Sequence, residues 1–241
     1  MANEALPIMP AVASADGATQ VRAIDPREAQ FLTTEHWSLL ATRSLSWNEA
    51  FSRSSMFLSA LSAATVALAL VGPATSFGQE FVVFALVVLS VTLFLGVATF
   101  VRLTQVNNED LYWVAGMNQL RGAYVRLVPG IEEDFFSGWA VDNAGISRTF
   151  GATDVINGPA PLHMLVTTPA VVGIISSVIA AVIAGLFGIE AGGGMAVAII
   201  VGLATFVAGV LLLIVYAQRE GRRYMARVSA IAEGKRVARS G

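Results

Sequence analysis

His36 and His163 are the only imidazoles in these 241 residues, and each stands alone at the edge of a long apolar run. Together with Asp154 they could offer nitrogen and oxygen donors to a zinc ion. The acidic group Glu132, Glu133 and Asp134, with Asp142 further on, carries carboxylates of the kind that hold a divalent cation. It lacks the regular spacing and central glycine of a calcium loop, so a solvated acidic loop is the competing reading. Ser52, Ser55, Ser59 and Ser62 share one helical face, and a hydroxyl line of this kind can wet a pore. Serine in an apolar helix also donates to its own i−4 carbonyl or fills a small-residue contact. Thr92 and Gly96 carry the same two readings. There is no cysteine, so disulfides, thiolate metal sites and catalytic thiols are excluded. No nucleophile elbow, phosphate loop, dinucleotide fingerprint or HExxH occurs. The expectation is therefore no catalytic, cofactor-binding or metal residue, and no basic-aromatic pattern for nucleic acid.

Four apolar runs must position whatever these residues do. They cover about 54–71, 81–101, 164–189 and 195–217. Hydrophobic residues make up 55% of the chain and charged residues 13%, against about 25% charged in soluble domains. A helix of roughly 20 apolar residues crosses a hydrocarbon core, and loops bearing Lys or Arg stay in the cytoplasm. None of the 15 Lys and Arg residues falls in the gaps 72–80 and 190–194, which carry only Glu80 and Glu190. Four spans with both termini and the central loop inside satisfy every positive charge. The fold class expected is all-α: an integral membrane four-helix protein of two transmembrane hairpins with cytoplasmic helical extensions.

Residues 1–34, rich in Ala, Pro, Asp and Thr, read as a disordered cytoplasmic lead-in. They lack the basic opening of a secretory signal, which leaves the first span as an uncleaved anchor. Residues 35–128 form the first unit: an amphipathic helix capped by Thr33 or Thr34, the first hairpin and a cytoplasmic helix. Trp37, Leu40, Ser44, Trp47 and Phe51 recur at helical spacing, either along the headgroups or against another helix. Beyond Arg102, Leu103, Val106, Trp113, Met117, Leu120, Tyr124 and Leu127 keep a three- and four-residue rhythm that Asp110 interrupts. Residues 129–163 are a cytoplasmic loop or a short strand-bearing insert, broken by Gly, Pro, Asp and Asn. Residues 164–217 form the second hairpin, with Pro169 in its first turn or two. The tail 218–241 is a basic helix that either contacts anionic lipid or is simply solvated. A shift of 113 residues superposes Gly72 on Gly185, Thr92 on Thr205, Gly96 on Gly209 and Gln105 on Gln218. That is either a parallel tandem repeat or chance similarity.

Small residues recur at four-residue intervals within the runs. Ser55, Ser59, Ala63 and Ala67 form one row; Gly173, Ser177, Ala181 and Gly185 form another. Ala198 with Gly202, and Ala204 with Ala208, add shorter ones. Inside lipid, helices associate where small side chains let backbones approach, so these are expected helix-packing faces within a chain or between subunits. The span interiors hold no Asp, Glu, Lys, Arg or His, which argues against an ion-coupled pump or transporter. No TVGYG-like filter is present.

The segment SLLATRSLSWNEAFSRSSMFLSALSAATVALALV and the hairpin that follows to Leu127 resemble the SLATT-type bacterial membrane proteins. The resemblance covers about half the chain and rests on helix order, without a diagnostic motif. It implies a membrane-perturbing or pore-forming effector under the control of partner proteins. The second hairpin departs from that family's single pair. The sequence thus points to a non-enzymatic, homo-oligomeric scaffold, effector or pore in a bacterial plasma membrane. The alternative is an accessory subunit or small-solute carrier whose central loop contacts a protein partner.

Overall fold

The computed structural model describes residues 25–149 and 167–240, and among them every regular element is helical. Two helices of 49 residues each, α1 (Pro26–Ala74) and α2 (Gln79–Leu127), are followed by a 3-10 turn (Ile131–Asp134) and the short α3 (Asn143–Thr149). Then come α4 (Thr168–Glu190) and the long α5 (Gly194–Ser240). The lead-in 1–24, His163, Asp154 and residues 164–166 lie outside the described residues. α1, α2, α4 and α5 are each long and apolar enough to cross a membrane. That is the pattern of a multi-pass membrane protein.

Helix α1 starts at Pro26 rather than near Glu35. Asp25 is its N-cap: the carboxylate accepts the Arg27 N–H at 2.9 Å, and Pro26 supplies a ready-made φ where no N–H is needed. Thr33 and Thr34, expected as caps, lie inside the helix and donate their hydroxyls back to the Ala29 and Gln30 carbonyls. At the other end of the chain's first apolar run, Gly72 is buried under the Phe77 ring, and Ser76 and Phe77 adopt φ of 50° and 54°. This left-handed pair lets the chain reverse within a few residues. Thr167 caps α4 through its hydroxyl, so Pro169 falls in the first turn, where its missing N–H costs nothing.

Helices α1 and α2 lie antiparallel along their full length. Phe57 meets Gly96, Glu49 meets Arg102, Arg43 meets Asp110 and Leu32 meets Tyr124 in turn. At 1.5 Å per residue each helix is about 74 Å long, more than twice a hydrocarbon core of about 30 Å. α2 is central, because α1, α4 and α5 all pack on it. One apolar cluster joins Phe57, Leu89, Phe100, Leu103, Val172 and Ile179. A second, in the polar half, gathers Val114, Ala115 and Met117 of α2 with Ile146 of α3 and Val228 of α5. The described part of 129–163 is irregular chain carrying the 3-10 turn and α3, packed back on α2, with no strand among the described residues.

Candidate helix-packing site and polar layer

Three helices converge at Gly96. A β-carbon there would run into the Ser176 hydroxyl of α4 and would lie 2.8 Å from the Phe57 ring of α1. Ser176 and Phe57 are each 1% exposed. One position further along α4, Ser177 faces Gly209 of α5, 3.0 Å from where its β-carbon would be. Consecutive serines of α4 thus fill glycine notches on two parallel neighbours. Gly96 and Gly209 are the pair that the 113-residue shift superposes. α1 is 49 residues long and α4 only 23, so the two halves differ outside this notch.

The row on α4 is used within the chain. Gly173 lies against Leu213 and Phe100, Ser177 against Gly209, the Ala181 carbonyl against Gly202, and Gly185 against the Ala198 backbone. The backbones approach closely because each contact has at least one small partner. The row on α1 is placed differently. Ser55, Ser59 and Ala63 are exposed and Ala67 is half-buried, while Ala50, Ser54, Phe57, Ala64 and Gly72 are the positions that α1 buries. Ser52 and Ser62 are exposed on the same outer side. The hydroxyls of Ser55 and Ser62 donate to the Phe51 and Leu58 carbonyls at 3.0 and 2.9 Å, so neither depends on water. Ala204 and Ala208 also face outward. A shallow apolar groove between α4 and α5, lined by Val182, Leu186, Ile199 and Phe206, offers no polar group for a ligand.

Where α1 and α2 leave their apolar halves, a layer of ion pairs ties them together. Arg102 reaches Glu49 of α1 at 2.8 Å and Glu109 of its own helix at 3.2 Å, and Arg53 joins Glu49 at 2.9 Å. The Arg102 guanidinium, then that of Arg53, holds the Glu49 carboxyl below the usual carboxylate range. About two turns further out, Arg43 grips Asp110 with two parallel hydrogen bonds, the second at 3.0 Å. The Asp110 side chain is 3% exposed. The residue that broke the apolar stripe of α2 is therefore a buried anchor. Only the pairing of α1 with α2 could disclose this, because the partners are 67 residues apart.

Asn118, fully buried, fastens the loop. Its amide donates to the Ala140 carbonyl at 3.0 Å, and its oxygen accepts from Arg121 at 2.9 Å and lies 2.9 Å from the Thr149 hydroxyl. The carboxylates of Glu132 and Asp142 serve separate local turns. Glu132 accepts from the Gly130 N–H in its own turn, and Asp142 caps α3 through the Gly145 N–H at 2.8 Å. Among the described residues no group of three or more His, Asp or Glu could hold a metal ion.

His36 stacks on Tyr124 with 5.9 Å between centroids, and Tyr124 donates its hydroxyl to the Leu32 carbonyl. Burial, and then the nearby Arg121 cation, lowers the imidazole pKa. The folded protein therefore resists a proton that the unfolded chain accepts below about pH 6.5. Stability contributed by neutral His36 is present above that pH and is lost as pH falls toward the depressed folded value. Thermal midpoints measured across this window should decline on acidification, and His36→Gln should flatten that decline. An unchanged slope in the variant would remove His36 from the account.

No protein family, curated protein or solved structure matches this chain. Its functional reading rests on its own faces and charges.

Proposed function

We propose that the chain is a non-enzymatic membrane protein that crosses the bilayer four times as two hairpins, with its termini and central loop cytoplasmic. It acts as a homo-oligomeric scaffold or effector, assembled through the outer face of α1. One observation carries the assembly. Leu45, Asn48, Ser52, Ser55, Ser59 and Ser62 follow strict alternating steps of three and four residues, and all six are exposed. The same steps reach back to Ala41 and Ser38, and forward to Val66 and Ala69, also exposed. These positions lie on one face of α1, and their mostly small side chains let another helix approach closely side by side.

The extent of this face selects its occupant. It runs unbroken from the charged half of α1 into the apolar half. A lipid chain cannot cover the aqueous part, and a soluble protein cannot cover the part in the bilayer. A second α1, inserted in the same orientation, divides at the same residues and brings its row of small residues alongside the first. The small side chains then allow close backbone approach. The Ser55 and Ser62 hydroxyls, already bonded to their own helix, fit a dry contact better than a pore wall.

The test contrasts two small-residue rows. Ser55→Leu with Ser59→Leu should dissociate the oligomer in mild detergent, read as mass by light scattering, with little change in thermal midpoint. Ala181→Leu with Gly185→Leu should leave the mass unchanged and lower stability by about 1–3 kcal/mol, since that row is filled within the chain. A monomeric wild type, or an oligomer indifferent to the first variant, would overturn the assembly. A foreign protein co-purifying in stoichiometric amount would favour the accessory-subunit alternative. For topology, the chain's lack of cysteine permits single labels at exposed sites. Gln79→Cys and Ala191→Cys should react with an impermeant thiol reagent in intact cells, and Glu133→Cys should not. Reaction at Glu133→Cys would overturn the orientation.

A further inference from the structure

The part of α5 beyond its apolar run docks on α2 with a defect. Val228, 5% exposed, enters the cluster of Val114, Ala115 and Met117, and Tyr224 and Met225 are half-buried beside it. Nearer the apolar half, Asn108 of α2 turns toward Gly221 of α5. Asn108 is 4% exposed, and its side-chain N–H group finds no hydrogen-bond partner among the described residues. A buried unpaired amide weakens the contact that buries it. Gly221 is not there to make room. A β-carbon on it would meet the Asn108 oxygen at 3.7 Å, an ordinary contact, so alanine would fit. Glycine at this point only loosens the helix, just past the end of the apolar run.

The described arginine side chains of this segment make no bond to α2. Arg223 pairs with Glu220 at 2.7 Å, Arg222 bonds the Gln218 carbonyl and Arg227 lies over the Tyr224 ring. Each described contact thus stays within α5. Arg219, Arg222, Arg223 and Arg227 are all exposed. Tyr224, Met225 and Val228, flanked by these cations, make an amphipathic face of the kind that sits in anionic headgroups.

We propose that the segment from Arg222 onward is an arm that pivots at Gly221 between α2 and the anionic surface of the leaflet from which α5 emerges. The same apolar face serves both positions, so the two exclude each other. Leaving α2 returns the Asn108 amide to water and brings the arginines to lipid phosphates. Anionic lipid therefore draws the arm off α2, and α2 is left with an uncovered groove. The inference rests on the membrane-spanning reading. Failure of that reading would appear as a chain that does not insert, whereas failure of the inference appears in properly inserted protein.

The experiment uses the full chain in nanodiscs, spin-labelled at Tyr112→Cys and Ser229→Cys. In phosphatidylcholine alone the labels should lie close, with the arm docked. Adding phosphatidylglycerol should lengthen the distance by about 10 Å or more, since Ser229 is eight residues from the pivot. High salt should shorten it again. Arg222→Gln with Arg223→Gln and Arg227→Gln should hold the short distance in both lipids. Gly221→Ala should raise the docked-to-released ratio about two- to fivefold at a given lipid composition. Asn108→Leu should shift the balance the same way. One distance in both lipids, whether short or long, or a lengthening that survives loss of the arginines, overturns the proposal.

Discussion

Gly96→Leu is expected to lower stability by about 3 kcal/mol, the upper end of what overpacking a helix contact costs. The notch at Gly96 is shared by α1, through Phe57, and by α4, through Ser176, so one enlarged side chain pushes two helices off the central one. Neither neighbour can yield cheaply, because both are 1% exposed and the Ser176 hydroxyl is bound to the Val172 carbonyl at 2.8 Å. Thermal unfolding in detergent or bilayers reads the loss. Gly96→Ala should sit between wild type and the leucine variant. If Gly96→Leu melts with wild type, the three helices do not meet at this residue.

Arg43→Met should be as damaging, at about 3–5 kcal/mol, because it leaves the Asp110 carboxylate buried without its partner. The reciprocal Asp110→Ala should cost less. The Arg43 side chain is 31% exposed and can turn its charge to water, whereas that of Asp110 is 3% exposed and cannot. Arg43→Met combined with Asp110→Leu should lie close to wild type, since a buried pair is often replaceable by apolar residues of similar size. The order is the check. Asp110→Ala melting below Arg43→Met would mean that the cation, not the carboxylate, is the trapped charge.

The sequence was most legible where composition alone decides. Runs of apolar residues located all four long helices, and Gly72, Pro73 and Gly78 marked the reversal between the first two. Boundaries governed by one side chain were missed: Thr33 and Thr34 look like caps, yet Asp25 followed by Pro26 outcompetes them. The row Gly173, Ser177, Ala181 and Gly185 stands out in the sequence because small residues at four-residue steps leave one helix face nearly flat. Its partners on α5 could not be read, since Leu213, Gly209, Gly202 and Ala198 are assigned only by how the helices lie. On α1 serines occur on both faces. Ser54 is buried against α2 and Ser55 points away, and the hydropathy pattern does not distinguish them. Asp110 reads as a flaw in a stripe, although it is a buried polar anchor whose partner Arg43 is 67 residues away.

The continuity of α1 has a mechanical consequence. No proline, glycine or turn separates its charged half from its apolar half before Gly72, and ion pairs at Arg43, Glu49 and Arg53 brace the junction. Such a rod transmits tilt rather than absorbing it. A rotation of about 5° over its roughly 74 Å displaces one end by about 6 Å relative to the other. Whatever pushes on Phe31 or Trp37 at the far tip is therefore carried to Val66 and Leu70 by α1 together with the α2 to which it is bonded.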